Sequence, residues 1–252
     1  EGTTLIGTTD IDHDLKLEEE HIEPFASQVE AAYMLEALDF LFPSLEISEA
    51  DILSSFSGLR PIIDTGASTP SKESRAHQIW NEDGLITITG GKLTTFRLMS
   101  RQTVRAALAS IGLDAKLRDR SPLLAPLDRA ALQGIDPTTG GYLRGRYGLE
   151  TSLLLAAAQH DERGHIDALP NIWAELRWAA RAEGIVHLDD LLLRRVRIGM
   201  LLPDGAHGLM ARIREIVHAE TGWDDQRWSL EETRYLDTWK AYYAPIPGET
   251  NG

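Results

Sequence analysis

The sequence predicts an α+β chain, with mixed strands and helices over residues 1–115 and an all-α region over residues 120–247. Three observations carry this. Leu85, Ile86 and Ile88, with Thr87 and Thr89, form a short β-branched run behind the turn signal Asn81-Glu82-Asp83-Gly84. From Leu93 the apolar residues Phe96, Val104, Ala107, Leu108 and Ile111 recur near helical spacing. From Gly148 onward the pattern is helical throughout, over 149–160, 171–183, 188–200, 206–221 and 229–242.

Taken in order, residues 3–9 read as a strand, followed by the acidic loop Asp10-Ile11-Asp12-His13-Asp14. Ser27 to Phe42 reads as a helix with Val29, Tyr33, Leu38 and Leu41 near one face and Pro43 closing it. Ser48-Glu49-Ala50-Asp51 has the residues of a helix N-cap and first turn. Residues 52–63 read as a strand that passes Gly58 and ends near Pro61, and 64–74 as a loop. Arg75 to Trp80 is a further strand, turned back at Asn81–Gly84 into Leu85. Residues 113–141, with Pro122, Pro126, Pro137 and three glycines, read as an irregular connection. In the helical region Asp189 and Asp190 open one helix and Arg194, Arg195 and Arg197 lie towards its end, as the helix dipole favours. Trp173, Trp178, Trp223, Trp228 and Trp239 are expected in the core or at an interface.

The balance of charge narrows the function. Asp and Glu number 39 against 25 Lys and Arg, a net charge of −14. Such a field repels a phosphate backbone, so nucleic acid is not the expected partner. A small anion can still be held where cations gather locally. The absence of cysteine excludes disulfides, thiol nucleophiles and cysteine-ligated metals. No apolar run approaches the ~20 residues that span a bilayer, which leaves peripheral membrane contact open. The start of the sequence, Glu1-Gly2-Thr3-Thr4-Leu5-Ile6-Gly7, has no initiator Met and no signal-peptide pattern and reads as a piece of a longer chain.

The segment with most chemical content is Thr89-Gly90-Gly91-Lys92-Leu93-Thr94-Thr95-Phe96-Arg97. It places two glycines and a lysine where a strand gives way to a helix. Free N–H groups and the dipole at a helix start favour negative charge, and glycine lets a ligand approach the main chain. The same pattern also suits a plain structural corner, and the P-loop spacing G-x-x-x-x-G-K-[ST] is absent. Arg60, held extended by Pro61, and Arg75 are two further cations beside special backbone. With Lys92 they could neutralise a phosphate monoester if they converge. Arg97, Arg101 and Arg105 fall on one helix face, expected to be solvated or salt-bridged. His77 either lines the same cleft or packs in the core. His160, Asp161 and His165 match no metal-ligand spacing, the loop from Asp10 lacks the EF-hand glycine, and no G-x-S-x-G elbow is present, so no metal is expected.

Ile6-Gly7-Thr8-Thr9-Asp10, Ser57-Gly58-Leu59-Arg60-Pro61, Ser74-Arg75-Ala76-His77 and Thr89 to Arg97 occur in an order and approximate spacing that resembles the FAD-dependent glycerol-3-phosphate dehydrogenases. Ala174 to Glu183 and Asp189 to Arg195 are similar to the helical C-terminal domain of the same family. The resemblance covers essentially the whole chain, as the C-terminal portion of an aerobic, quinone-linked enzyme of glycerol metabolism. It implies oxidation of sn-glycerol 3-phosphate to dihydroxyacetone phosphate, with electrons passed from FAD to a quinone. An oxidase that hands electrons to oxygen is the alternative, and a non-catalytic helical interaction module is another.

The roles implied by the resemblance are specific. Arg60 is the catalytic residue, beside the substrate's C2 oxygen over the flavin. Arg75 and Lys92 grip the phosphate. Thr8, Thr9 and Asp10 frame the cofactor side, Gly58 and Leu59 pass close to the ring, and Gly90, Gly91, Lys92, Leu93 and Thr94 meet its pyrimidine end. The G-x-G-x-x-G dinucleotide fingerprint is absent from this sequence. The base and further phosphate ligands of the family also precede residue 1. Residues 1–115 are therefore expected to be the C-terminal part of the flavin and substrate region, and 120–247 a helical domain. The chain alone is expected to bind FAD weakly and to show little activity. The resemblance places the protein in the cytoplasm, and is compatible with peripheral contact at the inner face of the membrane and with a homodimer.

Overall fold

The structure is a computed structural model that describes residues 3–11, 23–59, 76–114, 122, 132, 134–159 and 161–246. It is α+β. Two compact units interleave along the chain: residues 1–8, 21–57 and 124–252 form one, and residues 9–20 and 58–123 the other. Residues 21–57 therefore fold with the helical region, although they precede the strands in sequence.

In the first unit, α1 spans Gln28–Leu41. Ser27 starts it by a reciprocal cap: its Oγ accepts from Glu30 N at 3.3 Å, and its own N–H donates to the Glu30 carboxylate at 2.8 Å. A 3-10 turn at Pro43–Leu45 follows, and another at Glu49–Asp51 is capped by Ser48, whose N–H donates to Asp51 at 2.8 Å. The expected strand at 52–63 does not form over its described part, 52–59, because the polar groups there bond elsewhere. Ser55 N donates to Tyr243 O at 2.9 Å, and Ser54 Oγ donates to Met200 O at 2.8 Å. Residues 3–9 are likewise irregular. A β-branched run becomes a strand only beside another strand, and the β-ladder among the described residues joins residues 78–82 to 85–89.

The helical residues run α3 (Pro137–Tyr147), α4 (Thr151–Ala157), α5 (Ala174–Ala182), a π-helical turn (Asp190–Arg195), α6 (Ile198–Leu201), α7 (Met210–Thr221) and α8 (Asp225–Tyr242). The expected irregular connection ends earlier than its prolines suggest. Pro137 is the first residue of α3, where its missing N–H costs nothing, and Asp136 accepts from Thr138 N and Thr139 N at 3.0 Å. Two packed clusters form the core. One gathers Leu191, Leu192, Ile213, Ile216, Trp228 and Tyr235, and the other Leu143, Tyr147, Leu154, Ile172, Ala174 and Trp178. Trp239 is also buried, while Trp173 and Trp223 pack partly buried against the first cluster, so the tryptophans are largely core.

Charged residues inside this unit are paired. Arg177 grips Glu162 with two hydrogen bonds at 2.7 and 2.6 Å and reaches Glu220 at 2.7 Å, and Arg181 adds two bonds of 2.8 Å to Glu220. Burial opposes ionisation of Glu162, but Arg177 and the Gln159 N–H hold its carboxyl below the usual range. Asp189 pairs with Arg194 and, at 2.5 Å, with Arg234.

The second unit contains a two-stranded antiparallel ribbon, β1 (Gln78–Glu82) and β2 (Leu85–Thr89), with α2 (Phe96–Ser110) against both strands. Glu82 pairs directly with Leu85, so Asp83-Gly84 alone makes the turn. Both have positive φ, 50° and 88°, the signature of a two-residue hairpin with an Asp-Gly loop. Ile79, Ile86 and Ile88 share the half-buried face of the ribbon. A 3-10 turn at Leu93–Thr95 runs directly into α2.

Candidate functional site

The site segment folds as its residue types dictate. β2 ends at Thr89, and Gly90 and Gly91 then take φ of 74° and 88°, a region that a β-carbon disfavours. Space adds a second constraint at Gly91. A Cβ there would lie 2.4 Å from Met99 Sδ and 3.3 Å from His77 Cβ. Lys92 follows in extended conformation (φ −129°, ψ 150°) as the residue that caps the helical turn. Its N–H donates to Thr95 Oγ1 at 3.1 Å, and its carbonyl accepts from Thr95 N and Thr95 Oγ1, both at 2.9 Å.

Lys92, Leu93 and Thr94 are all exposed, Leu93 to 89%. No carboxylate pairs with Lys92 among the described residues, whereas Arg177, Arg181, Arg194, Arg212, Arg227 and Arg234 all sit in ion pairs. An exposed cation without a counter-ion, at the open end of a helix, is suited to an anion from outside the chain. His77 is half-buried beside this turn and pairs through Nε2 with Gln102 Oε1 on α2. It is thus a partner of α2, which its sequence context left undecided.

The other expected site residues are spread over both units. Thr9, Asp10, Gly58 and Leu59 belong to the second unit with residues 90–94, and Thr8 to the first. Gly58 and Leu59 are exposed, and a Cβ at Gly58 would meet nothing within 4 Å. Arg60 and Arg75 lie outside the described residues, so their convergence with Lys92 is carried forward as part of the proposal below. The main chain at Gly58 is open, Leu59 and Leu93 are exposed, and Lys92 is a cation.

Two other clusters could be mistaken for sites. His187, Asp189 and Glu231 place one ligand atom each within 4.8 Å of the others. Their charge is already met: Arg234 and Arg194 hold Asp189, while Arg227 at 2.7 Å and His187 at 3.0 Å hold Glu231. A cation there would have to displace guanidinium groups. His165, for its part, contacts the Leu169 carbonyl through Nδ1 and Thr139 through Nε2. Glu175 is the more unusual group. It is fully buried and accepts from Tyr147 Oη at 2.8 Å, Tyr142 Oη at 3.1 Å and Ile172 N at 2.7 Å. Burial raises its carboxyl above the ordinary value against the pull of Tyr147, Ile172 N and Arg146. Sequence reading did not single it out, and the only hint was a carboxylate on the apolar face of a helix rich in alanine.

The family described as the C-terminal domain of alpha-glycerophosphate oxidase matches residues 86–228. The chain belongs to this family. The match begins on β2 and runs through Lys92, α2 and the helical residues as far as Trp228.

Individual relatives agree with the match. The glycerol-3-phosphate dehydrogenase of Mycobacterium leprae is 31% identical over 247 residues, which is 92% of this chain and 41% of the relative. Glycerol-3-phosphate dehydrogenase 2 of Mycobacterium tuberculosis is 32% identical over 248 residues, 92% of this chain and 42% of the relative. Among solved structures, the glycerol-3-phosphate dehydrogenase from Bacillus halodurans complexed with FAD superposes with a TM-score of 0.68. It is 23% identical, and the match covers 96% of this chain and 49% of that one. That likeness supports the α+β fold. The chain spans about two fifths of the length of the curated relatives named here.

Proposed function

We propose that this chain provides the C-terminal part of the flavin and substrate region, and the helical domain, of an FAD-dependent glycerol-3-phosphate dehydrogenase. The observation that carries the reading is the turn Gly90-Gly91-Lys92: two positive-φ glycines and, at a helix mouth, a lysine with no carboxylate partner among the described residues, within a family member. Residues 1–115 belong to the flavin and substrate region in this reading, and 120–247 to the helical domain.

The substrate is sn-glycerol 3-phosphate, and the product dihydroxyacetone phosphate. Lys92 and Arg75 neutralise the phosphate, Lys92 as a point charge and Arg75 as a planar fork. Arg60 hydrogen-bonds the C2 oxygen, on which negative charge develops as its proton passes to a base and before hydride leaves the carbon. The main chain of Gly90 to Thr94 would meet the pyrimidine end of the ring, and Gly58, Leu59, Thr8, Thr9 and Asp10 would help to hold it. FAD, when bound, accepts the two electrons released at C2. Quinone is the acceptor that follows, which places the protein in the cytoplasm with peripheral contact at the inner face of the membrane. No helix among the described residues is long and apolar enough to cross a membrane. A homodimer is carried over from the resemblance.

The name of the matching family supports a second reading of the last step alone, in which oxygen takes the electrons. Turnover by the flavin-loaded enzyme carrying these residues, measured anaerobically with a quinone analogue and then with oxygen alone, separates the two. The interaction-module reading gains less support. Among the described residues of 134–246 the exposed large apolar side chains are Leu149, Leu153, Val186 and Leu230.

The deciding experiment is substitution in the flavin-loaded enzyme. Lys92→Ala should raise the KM for glycerol 3-phosphate about tenfold or more, the effect of one charge-assisted contact. Arg60→Ala should cut kcat. Wild-type kinetics from both variants refutes the assignment.

A further inference from the structure

We propose that Thr95 is a positioning residue that fixes Lys92, and through it the substrate's phosphate; this rests on the assignment of Lys92 just made. Thr95 lies one residue beyond the segment assigned to the flavin, and its neighbour Thr94 is exposed while Thr95 is half-buried. One hydroxyl engages both peptide groups of Lys92. Its oxygen accepts the Lys92 N–H at 3.1 Å, and its proton goes to the Lys92 carbonyl at 2.9 Å. The Lys92 carbonyl also receives Thr95 N, but among the described residues the Lys92 N–H has only this hydroxyl as acceptor.

The same oxygen stands 3.4 Å from Met99 Sδ. Met99 in turn fills the space that a side chain at position 91 would need, with Sδ 2.4 Å from a Cβ placed there. Thr95 and Met99 thus brace two consecutive residues from one side: the hydroxyl holds the peptide groups of Lys92, and the thioether backs the α-carbon of Gly91.

The physical need for such a brace is plain. A lysine ammonium ends a flexible four-carbon stem, so its place relative to a bound anion depends on where the stem is rooted. Gly90 and Gly91 immediately before it are the residues least able to fix that root. A side-chain hydroxyl two bonds deep in the following turn does so without entering the site.

The test compares Thr95→Val, which keeps shape and loses both hydrogen bonds, with Thr95→Ser, which restores them. In the flavin-loaded enzyme Thr95→Val should raise the KM for glycerol 3-phosphate about tenfold, the worth of an ordinary hydrogen bond, and raise it far more than it lowers kcat. Thr95→Ser should return KM to the wild-type value. In the 252-residue chain, amide hydrogen exchange over residues 90–95 should quicken about tenfold in Thr95→Val and recover in Thr95→Ser. Lys92→Ala is run alongside. A raised KM in Lys92→Ala with a wild-type KM in Thr95→Val overturns this inference and leaves the functional assignment standing. No change in Lys92→Ala overturns both. Equal losses in kcat and KM that serine does not rescue show a merely structural threonine, and overturn the positioning role.

Discussion

Tyr235 donates a 2.6 Å hydrogen bond to the carbonyl oxygen of Gly205, deep between α8 and the turn that precedes α7. The turn is strained by its own geometry, with Asp204, Gly205 and Ala206 at φ of 51°, 63° and 63°. One turn further along α8, Trp239 Nε1 donates to the Gly199 carbonyl at 2.8 Å. Each aromatic side chain also occupies the space beside the other's glycine. A Cβ on Gly199 would lie 2.2 Å from Tyr235 Oη, and one on Gly205 2.9 Å from the Trp239 ring. The C-terminal helix is thus pinned by two side chains that need two bare α-carbons.

From this contact follow graded losses of stability. Gly199→Ala and Gly205→Ala should each destabilise the chain by about 2–3 kcal/mol through overpacking, with added backbone strain at Gly205. Tyr235→Phe should cost about 1–2 kcal/mol, because it leaves a buried carbonyl without its donor. Urea unfolding of the purified chain measures all three, and Gly208→Ala serves as the control, since a Cβ there meets nothing within 4 Å. Equal midpoints for Gly199→Ala and Gly208→Ala would show that α8 is not seated as described.

The pH dependence of stability should have a maximum in mildly acid solution. Arg181 holds Glu220 below the usual range, and Glu162 and Asp189 are also held low against their burial by arginine partners. Their contributions are complete above the ordinary carboxylate values, about 4, and are lost as pH falls through their lowered folded values. Glu175 and Glu183 have the opposite sign, because burial raises both. Their contributions are complete below the ordinary glutamate value and are lost as pH rises through the raised folded one. Urea midpoints from pH 3 to 8, set on the scale of ordinary carboxylate and histidine values, should therefore rise and then decline. Glu175→Gln should make the decline shallower; identical slopes for the variant and the wild type count against the buried charge.

Much of this architecture was written in local chemistry, and what was missed has two causes. Ser27 and Glu30 announce α1, Asp83-Gly84 announces the hairpin, and Gly90-Gly91 announces the corner, each by interactions spanning at most four residues. Asp136-Pro137 was equally legible as a helix start, but the neighbouring glycines and prolines drew attention to a loop instead. Residues 52–59 could not be read in the same way. The Ser55 N–H is committed to Tyr243 and the Ser54 hydroxyl to Met200, nearly the length of a domain away in sequence. Within the site, Lys92 stood out by charge, whereas Thr95 acts through a hydroxyl whose role appears only when its distances to Lys92 are known.

Helix α1 should govern the solution behaviour of the isolated chain. Val29, Tyr33 and Phe40 lie on one side of it and are 78, 60 and 85% exposed, and Leu41 beside them is 63% exposed. Exposed apolar side chains in this number bind other apolar surface, although the exposed carboxylate of Glu36 falls among them. The purified chain should self-associate with rising concentration and enhance the fluorescence of an apolar dye. Tyr33→Glu with Phe40→Lys should reduce both effects and leave the unfolding midpoint within about 0.5 kcal/mol, as expected at exposed positions. Sedimentation velocity of the two proteins decides, and unchanged association would place the contact elsewhere.

The last expectation concerns flavin occupancy. In the proposed assignment this chain meets the ring of FAD through Gly58, Leu59 and the 90–94 turn, and meets the substrate through Lys92. A dinucleotide is held chiefly where its pyrophosphate rests on a glycine-rich turn at a helix start. The G-x-G-x-x-G spacing that builds such a turn does not occur in this sequence. Gly90-Gly91 cannot replace it, since Met99 already fills the near side of Gly91 and Lys92 follows at once. Ring contacts without pyrophosphate contacts leave most of the ligand in water, and the entropy of fixing it is poorly offset. The 252-residue chain, refolded or purified with excess FAD and then desalted, should therefore carry flavin well below one equivalent. Absorbance near 450 nm, where oxidised flavin absorbs, read against protein concentration, measures this; near-stoichiometric flavin would mean that the pyrophosphate is held by residues given no such role here.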